Sequence, residues 1–159
     1  MKTEFVYIAV RIMLAVFMLI CGYQDLRRRS VEVSVFVIMA IITVVYLTIL
    51  LASGEQIKRQ MLGTVPGLLM FLLSKTIHLF GVGDCIYFSV VGAVLGIEPA
   101  AFILTATIFL CGIIGTTILL ISISRGGSIR TAYGQKLPML TAAAAAGLFC
   151  LIREGGMIL

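Results

Sequence analysis

The chain has 159 residues, of which 61% are hydrophobic and 12% are charged, and its mean hydropathy is +1.18. Soluble globular domains contain about 45–50% apolar and about 25% charged residues, so this composition excludes a soluble domain. The net charge of +5 is spread over short polar segments between apolar runs. That distribution indicates the positive-inside bias of a membrane protein and does not call for a nucleic-acid partner.

The apolar runs predict an all-α, polytopic bundle of about six transmembrane helices. One span needs roughly 20 apolar residues, so six spans with short loops use the whole chain and make residues 1–159 a single membrane-embedded domain. In chain order, the predicted spans are Phe5–Gly22, Val33–Ala52, Met61–Phe80, Asp84–Ile97, Pro99–Ser124 and Leu137–Ile152. The run of small residues from Ala142 to Gly147 predicts a close helix-packing face.

The two aspartates of the chain both stand where an apolar run ends. Asp25 belongs to a predicted polar loop, Gln24–Ser30, and Asp84 follows Gly81-Val82-Gly83 at the start of the fourth span. An acid among apolar segments of a membrane protein is by default a functional-site hypothesis. Because glycine has no Cβ, Gly81 and Gly83 allow unusual backbone dihedrals and close approach of another chain to the carboxylate.

Two predicted spans separate Asp25 from Asp84, so both are expected on the same side of the membrane. Seven basic residues lie in the polar segments on that side, against five on or near the other side, which favours the aspartate side as cytoplasmic. The seven are Arg27, Arg28, Arg29, Lys75, Arg125, Arg130 and Lys136.

Two carboxyl groups held a few ångström apart do not readily both ionise, so one keeps its proton while the other is charged. Such a pair can polarise a peptide carbonyl and activate a water molecule. The helix-start position of Asp84 favours its charged form, which makes Asp25 the protonated partner in this interpretation. The structural alternatives are that Asp84 merely caps a helix and that Asp25 is a solvated charge beside three arginines.

The segments Gly81-Val82-Gly83-Asp84 and Asp25-Leu26-Arg27-Arg28-Arg29 together resemble the type IV prepilin peptidase family. These are membrane aspartic proteases of the Gly-x-Gly-Asp type, related to archaeal preflagellin peptidases. Tyr133 to Pro138 is also similar to a Pro-containing segment before the last span of relatives. The resemblance implies that Asp25 and Asp84 are the catalytic pair. It further implies cleavage of basic leader peptides from type IV prepilin-like proteins at the cytoplasmic face of the lipid bilayer.

The sequence departs from the family pattern at two places. Val31-Glu32-Val33 stands where relatives often have Ile-Pro-Asn, and Cys85-Ile86-Tyr87 stands where they often have a lysine shortly after the Gly-x-Gly-Asp aspartate. These departures concern the substrate more than the chemistry. Bifunctional relatives carry a cysteine-paired cytoplasmic insert and methylate the trimmed pilin. This sequence has no such insert, which favours a peptidase without methyltransferase activity.

Two other classes of protein compete with the peptidase. A small proton- or cation-coupled transporter would use the same two aspartates, but would place them near the bilayer midplane and between inverted repeats. A non-catalytic assembly subunit would tolerate their replacement by asparagine. The widely spaced cysteines give no support to a zinc site or a disulfide, and we expect neither metal nor cofactor. Glu32 and His78 are interpreted as interfacial side chains. Alternatively, Glu32 lines a substrate path and His78 tunes Asp84 or binds a metal.

Overall fold

The computed structural model describes residues 2–28, 30–54, 57–77, 81–124 and 139–155, and these residues form helices and short connections without a β-strand. The helices are α1 (Lys2–Arg28), α2 (Val33–Ala52), α3 (Lys58–Gly63), α4 (Val65–Ile77), α5 (Val82–Leu95), α6 (Ile97–Ser124) and α7 (Met139–Gly155). Three segments are long and apolar enough to cross a membrane, namely Phe5–Arg28, Val33–Ala52 and Ile97–Ser124. The prediction of an all-α membrane bundle is confirmed.

The first helix is longer than predicted. α1 continues through Arg28, so Asp25 lies within a helix and the predicted loop Gln24–Ser30 is wrong over most of its length. Leucine, arginine and glutamine are good helix formers, and the basic residues Arg27 and Arg28 in the last turn complement the helix dipole. The polar residues from Gln24 onward end the apolar run, but the helix continues through them to Arg28.

The third predicted span consists of two helices. α3 ends at Gly63, Thr64 forms a turn, and α4 begins at Val65. Pro66 explains the break, because proline lacks an N–H and its ring clashes with a preceding helical turn, whereas it fits the first turn of a new helix. The end of this predicted span, residues 78–80, lies outside the described residues.

Gly96 separates the fourth predicted span from the fifth. Its φ of 91° falls in the left-handed region, which favours glycine, so α5 stops at Leu95 and α6 starts at once. Pro99 lies in the first turn of α6, as predicted. α5 is therefore a short helix of 14 residues that begins near the candidate site and ends at the opposite end of the bundle.

α5 is the central helix of the bundle, since it contacts each of the other six. Tyr87, Phe88 and Val91 are fully buried, and the ring of Tyr87 stacks on Phe17 of α1 with centroids 5.5 Å apart. From Val90 to Leu95 every residue of α5 is buried, whereas Val82 and Ile86 in its first two turns are 58% and 38% exposed. The first turn, which carries Asp84, is therefore held by the packing of the later turns.

Glycines bring α5 into backbone contact with α3 and α4. A Cβ added at Gly92 would overlap the carbonyl group of Gly63, and one added at Gly67 would overlap Ser89. Small residues let membrane helices approach this closely, and van der Waals packing is then the main attraction between them. Gly63 and Gly67 are four residues apart, as are Gly92 and Gly96, a spacing that the sequence analysis passed over.

The run of small residues in α7 packs against α1, as predicted. Ala142, Ala143, Ala144 and Ala146 are buried, and a Cβ at Gly22 of α1 would lie 2.9 Å from the Ala144 Cβ. This close contact places the first turn of α7 beside the last turns of α1. It is the contact that brings Asp25 to the N-terminus of α7.

At the opposite end of the bundle from Asp25, Arg59 pairs with Glu98. Arg59 Nη2 lies 2.9 Å from Glu98 Oε2, and the two side chains are 56% and 79% exposed. Exposed ion pairs contribute less than about 1 kcal/mol to the free energy of unfolding, because solvent screens the charges.

We therefore expect Glu98→Gln to change the free energy of unfolding by less than about 1 kcal/mol. Unfolding of the detergent-solubilised protein in sodium dodecyl sulfate, followed by circular dichroism, measures this change. A larger loss would show that the Arg59–Glu98 pair fixes the junction between α5 and α6.

Candidate active site

Asp25 lies on the inward face of α1 and is bound by the first turn of α7. Its side chain is 9% exposed, and its Oδ2 accepts a hydrogen bond from the Thr141 N–H (3.1 Å). The Thr141 hydroxyl lies 3.0 Å from the Gly22 carbonyl oxygen and 3.4 Å from Asp25 Oδ2. The last turns of α1 and the first turn of α7 are thus joined through one threonine.

Thr141 lies in the first turn of α7, where the backbone N–H groups have no acceptor within the helix. Asp25, 116 residues earlier in the chain, supplies the acceptor for the Thr141 N–H. Thr141 was not predicted to be a site residue. Its only mark in the sequence is its place near the start of the last predicted helix.

Asp84 lies in the first turn of α5, and its Oδ2 accepts a hydrogen bond from the Gly81 N–H (3.1 Å). Neither glycine of the motif has a positive φ: Gly81 has φ −72° and ψ 149°, and the positive-φ glycines among the described residues are Gly54 and Gly96. A Cβ at Gly81 would lie 3.2 Å from Asp84 Oδ2, whereas one at Gly83 would make an ordinary contact, 3.4 Å from the Phe36 ring. The close approach of another chain to the Asp84 carboxyl group stays a prediction.

The structure brings Asp25 and Asp84 within electrostatic range of each other. The side chain of Cys111 on α6 is also within range of both carboxyl groups. Cys85, next to Asp84, donates its thiol proton to the Gly81 carbonyl oxygen (3.3 Å), and Cys21 lies buried one turn before Asp25. One end of the bundle therefore gathers α1, α5, α6 and α7 around two acids and three thiols. No group of three or more potential metal ligands forms among the residues that the structure describes.

The two acids differ in accessibility. Asp25 is buried against α7, whereas Asp84 is only partly buried and follows Gly81 and Val82, which are exposed. A molecule approaching the pair therefore meets Asp84 and the Gly-x-Gly backbone first. The absence of side chains at Gly81 and Gly83 leaves the backbone before Asp84 open to such an approach.

Glu32 does not join this pair. Its N–H donates to Gln24 Oε1 (3.0 Å), its carboxylate lies 3.4 Å from Arg28 Nη1, and it is exposed on the other side of α1. These contacts agree with the interpretation of Glu32 as an interfacial charge. His78 and the segment Tyr133 to Pro138 lie outside the described residues, as do Arg29, Arg125, Arg130 and Lys136.

Comparison with known families adds an independent observation. The family model described as the type IV leader peptidase family matches residues 12–116. This chain belongs to the type IV leader peptidase family. The matched range contains both Asp25 and Asp84, so the two acids of this leader peptidase lie within the part that defines the family. Searches of curated proteins and of solved structures returned no match.

Proposed function

We propose that this family member is a membrane aspartic endopeptidase that removes basic leader peptides from type IV prepilin-like proteins, with Asp25 and Asp84 as its catalytic pair. The observation that carries the proposal is the match of a leader peptidase family to a range that contains both aspartates of the chain. The contact between α1 and α5, with the two carboxyl groups within electrostatic range of each other, supports it. The excess of basic residues on that side of the predicted topology supports a cytoplasmic active site. The missing cysteine-paired insert supports peptidase activity without methyl transfer.

Hydrogen bonding supports different roles for the two acids. Asp25 Oδ2 accepts the N–H of Thr141 in the first turn of α7, whereas Asp84 Oδ2 accepts the N–H of Gly81 at the start of its own helix. The single proton of the Thr141 hydroxyl is shared between the Gly22 carbonyl oxygen (3.0 Å) and Asp25 Oδ2 (3.4 Å). In our proposal Asp25, supported by the first turn of a separate helix, is the ionised partner and Asp84 is the protonated one. This reverses the assignment made from the helix-start position of Asp84 alone.

In the first step, ionised Asp25 takes a proton from a water molecule as the water oxygen bonds to the carbonyl carbon of the scissile peptide. Protonated Asp84 gives its proton to the carbonyl oxygen, which forms a neutral gem-diol. In the second step, the C–N bond breaks, Asp25 gives its proton to the leaving nitrogen, and a gem-diol hydroxyl returns a proton to Asp84. The pair is restored, and no other reactant is consumed.

Thr141 is expected to act as a positioning residue. Thr141→Val keeps the N–H that binds Asp25 but removes the hydroxyl that lies between Asp25 and Gly22. A lost neutral hydrogen bond is worth about 0.5–1.5 kcal/mol, so we expect kcat for leader cleavage to fall roughly 2- to 10-fold. KM is expected to stay unchanged, because Thr141 does not contact the substrate in this proposal.

Thr141→Ser is the matched control, since it restores the hydroxyl and is expected to restore kcat. Steady-state cleavage of a quenched leader peptide in detergent micelles measures both constants. If the valine variant raised KM and left kcat unchanged, Thr141 would belong to the substrate site and not to the support of Asp25.

The transporter reading conflicts with the positions of the acids. Asp25 lies in the last turns of α1 and Asp84 in the first turn of α5, so both are near helix ends rather than near the middle of a span. Coupling acids of transporters lie near the bilayer midplane. The position of the pair favours chemistry on a chain that reaches the membrane surface.

The deciding experiment reconstitutes the purified protein in liposomes with a prepilin-like precursor from the same genome. We expect one cut that shortens the precursor by its basic leader, with the mass of the mature N-terminus identifying the bond. A pH-sensitive dye inside the same liposomes reports proton movement. Proton flux without cleavage would replace the peptidase by the transporter, and neither cleavage nor flux in liposomes with correctly folded protein would contradict both.

A further inference from the structure

An open groove of about 350 Å³ lies beside the last turns of α1, on the face turned away from the candidate active site. Its lining changes in character along the helix. It begins with the apolar side chains of Leu19 and Ile20 and ends with the charged side chains of Arg27, Arg28 and Glu32. A groove that is apolar at one end and charged at the other suits a ligand with the same two-part chemistry.

The groove lining changes from apolar to charged in the same direction as the membrane changes from hydrocarbon to head groups. Leu19 and Ile20 are exposed and belong to the apolar span Phe5–Arg28, so they face hydrocarbon. Eight residues separate Leu19 from Arg27, a rise of about 12 Å along the helix. That distance carries the groove from the hydrocarbon region to the head-group region, where charged side chains are favourable.

The charged end has an excess of positive charge. Arg27 Nη1 donates to the Tyr23 hydroxyl (2.8 Å), and Arg28 Nη1 lies 3.4 Å from Glu32 Oε1 in a pair whose side chains are 67% and 61% exposed. The groove lining thus contains two guanidinium groups and one carboxylate. Each guanidinium has five N–H donors in a planar fork that matches phosphate oxygens, so the contacts with Tyr23 and Glu32 use only a fraction of them.

We propose that this groove binds an anionic phospholipid, with its phosphate between Arg27 and Arg28 and an acyl chain along Leu19 and Ile20. A peptide on its way to the catalytic pair is a poor fit, because Asp25 lies about 150° around α1 from the centre of the groove. The lipid would hold the outer face of α1 at the interface while α7 holds the inner face. This site is independent of the proposed peptidase activity.

The test measures lipid retention and not catalysis. The full chain is purified in detergent, supplied with equal amounts of phosphatidylglycerol and phosphatidylcholine, washed, and examined by native mass spectrometry. We expect the parent to retain phosphatidylglycerol in preference to phosphatidylcholine. Arginine near an anionic lipid contributes roughly a factor of five per residue, so Arg27→Gln with Arg28→Gln is expected to lower that preference tenfold or more.

Arg153→Gln is the matched control, because Arg153 is an exposed arginine near the end of α7, at the other end of the bundle. It should leave the preference unchanged. Equal retention of the two lipids by the parent would overturn the proposal, as would an equal loss in the control and in the double variant. Competition by glycerol phosphate at the same concentration as the lipid would show an anion site without an acyl component, and would overturn it too. Circular dichroism of each variant confirms that the fold is retained.

Discussion

Replacing Asp25 or Asp84 by asparagine is expected to lower leader cleavage by roughly 10²–10⁴-fold, the contribution of a positioned general acid or base. Asparagine has almost the same shape as aspartate and keeps an oxygen that can accept from Thr141 or Gly81. The fold is therefore expected to survive both changes. What asparagine lacks is the ability to take up or give up the proton that the reaction moves.

The double variant should cleave no more slowly than either single variant, because residues that act as one unit show non-additive losses. Glu98→Gln and Glu32→Gln are the matched controls, since each neutralises an acid that lies away from the pair. Precursor cleavage by equal amounts of membrane-inserted protein, followed by gel shift, measures all five. Cleavage that persisted in Asp25→Asn or Asp84→Asn would refute the catalytic pair. The family assignment would stand, but the proposed mechanism would be wrong.

The features that the sequence predicted well are those that depend on neighbouring residues. Val33–Ala52 is an uncharged run of 20 residues, and α2 has those bounds. The first-turn position of Pro99 and the packing of the alanine run in α7 also follow from local rules about proline and small residues. Counting spans also predicted that Asp25 and Asp84 share one side of the membrane, and this stays a prediction.

The features that the sequence could not predict depend on distant contacts. Nothing near Asp25 indicates that its acceptor oxygen meets Thr141, because that bond joins residues 116 positions apart. Our proposal assigns the proton to Asp84 instead of Asp25 for this reason: the sequence shows that Asp84 starts a helix, but not that the first turn of the last helix binds Asp25. The continuation of α1 through Arg28 was missed because an apolar run was equated with a helix.

Gly92→Ala is expected to be the most destabilising of the single-methyl changes considered for this bundle. The added Cβ would overlap the Gly63 carbonyl and would lie 3.2 Å from the Ala100 Cβ, so it would meet backbone and a short side chain that cannot rotate away. Overpacking of a tight contact costs about 1–3 kcal/mol, and contact with backbone places this change at the upper end. Unfolding in sodium dodecyl sulfate should be followed by circular dichroism, because the chain has no tryptophan.

Gly112→Ala in α6 is the matched control, because a Cβ there would meet nothing within 4 Å. Alanine is also the better helix former by about 1 kcal/mol, so this change is expected to be neutral or slightly stabilising. A similar loss in both variants would mean that the loss in Gly92→Ala does not come from the α3–α5 contact.

The same substitution links the packing of α5 to its proposed chemistry. Gly92 is eight residues after Asp84, about 12 Å along one continuous helix, so displacing α5 from α3 also moves its first turn. We expect folded Gly92→Ala protein to cleave more slowly per molecule than the parent, while Gly112→Ala cleaves at the parental rate. Unchanged cleavage by folded Gly92→Ala protein would show that the first turn of α5 is held by Phe36 and the α1 contacts alone. A lower rate would show that backbone contact near one end of the bundle fixes a carboxyl group near the other.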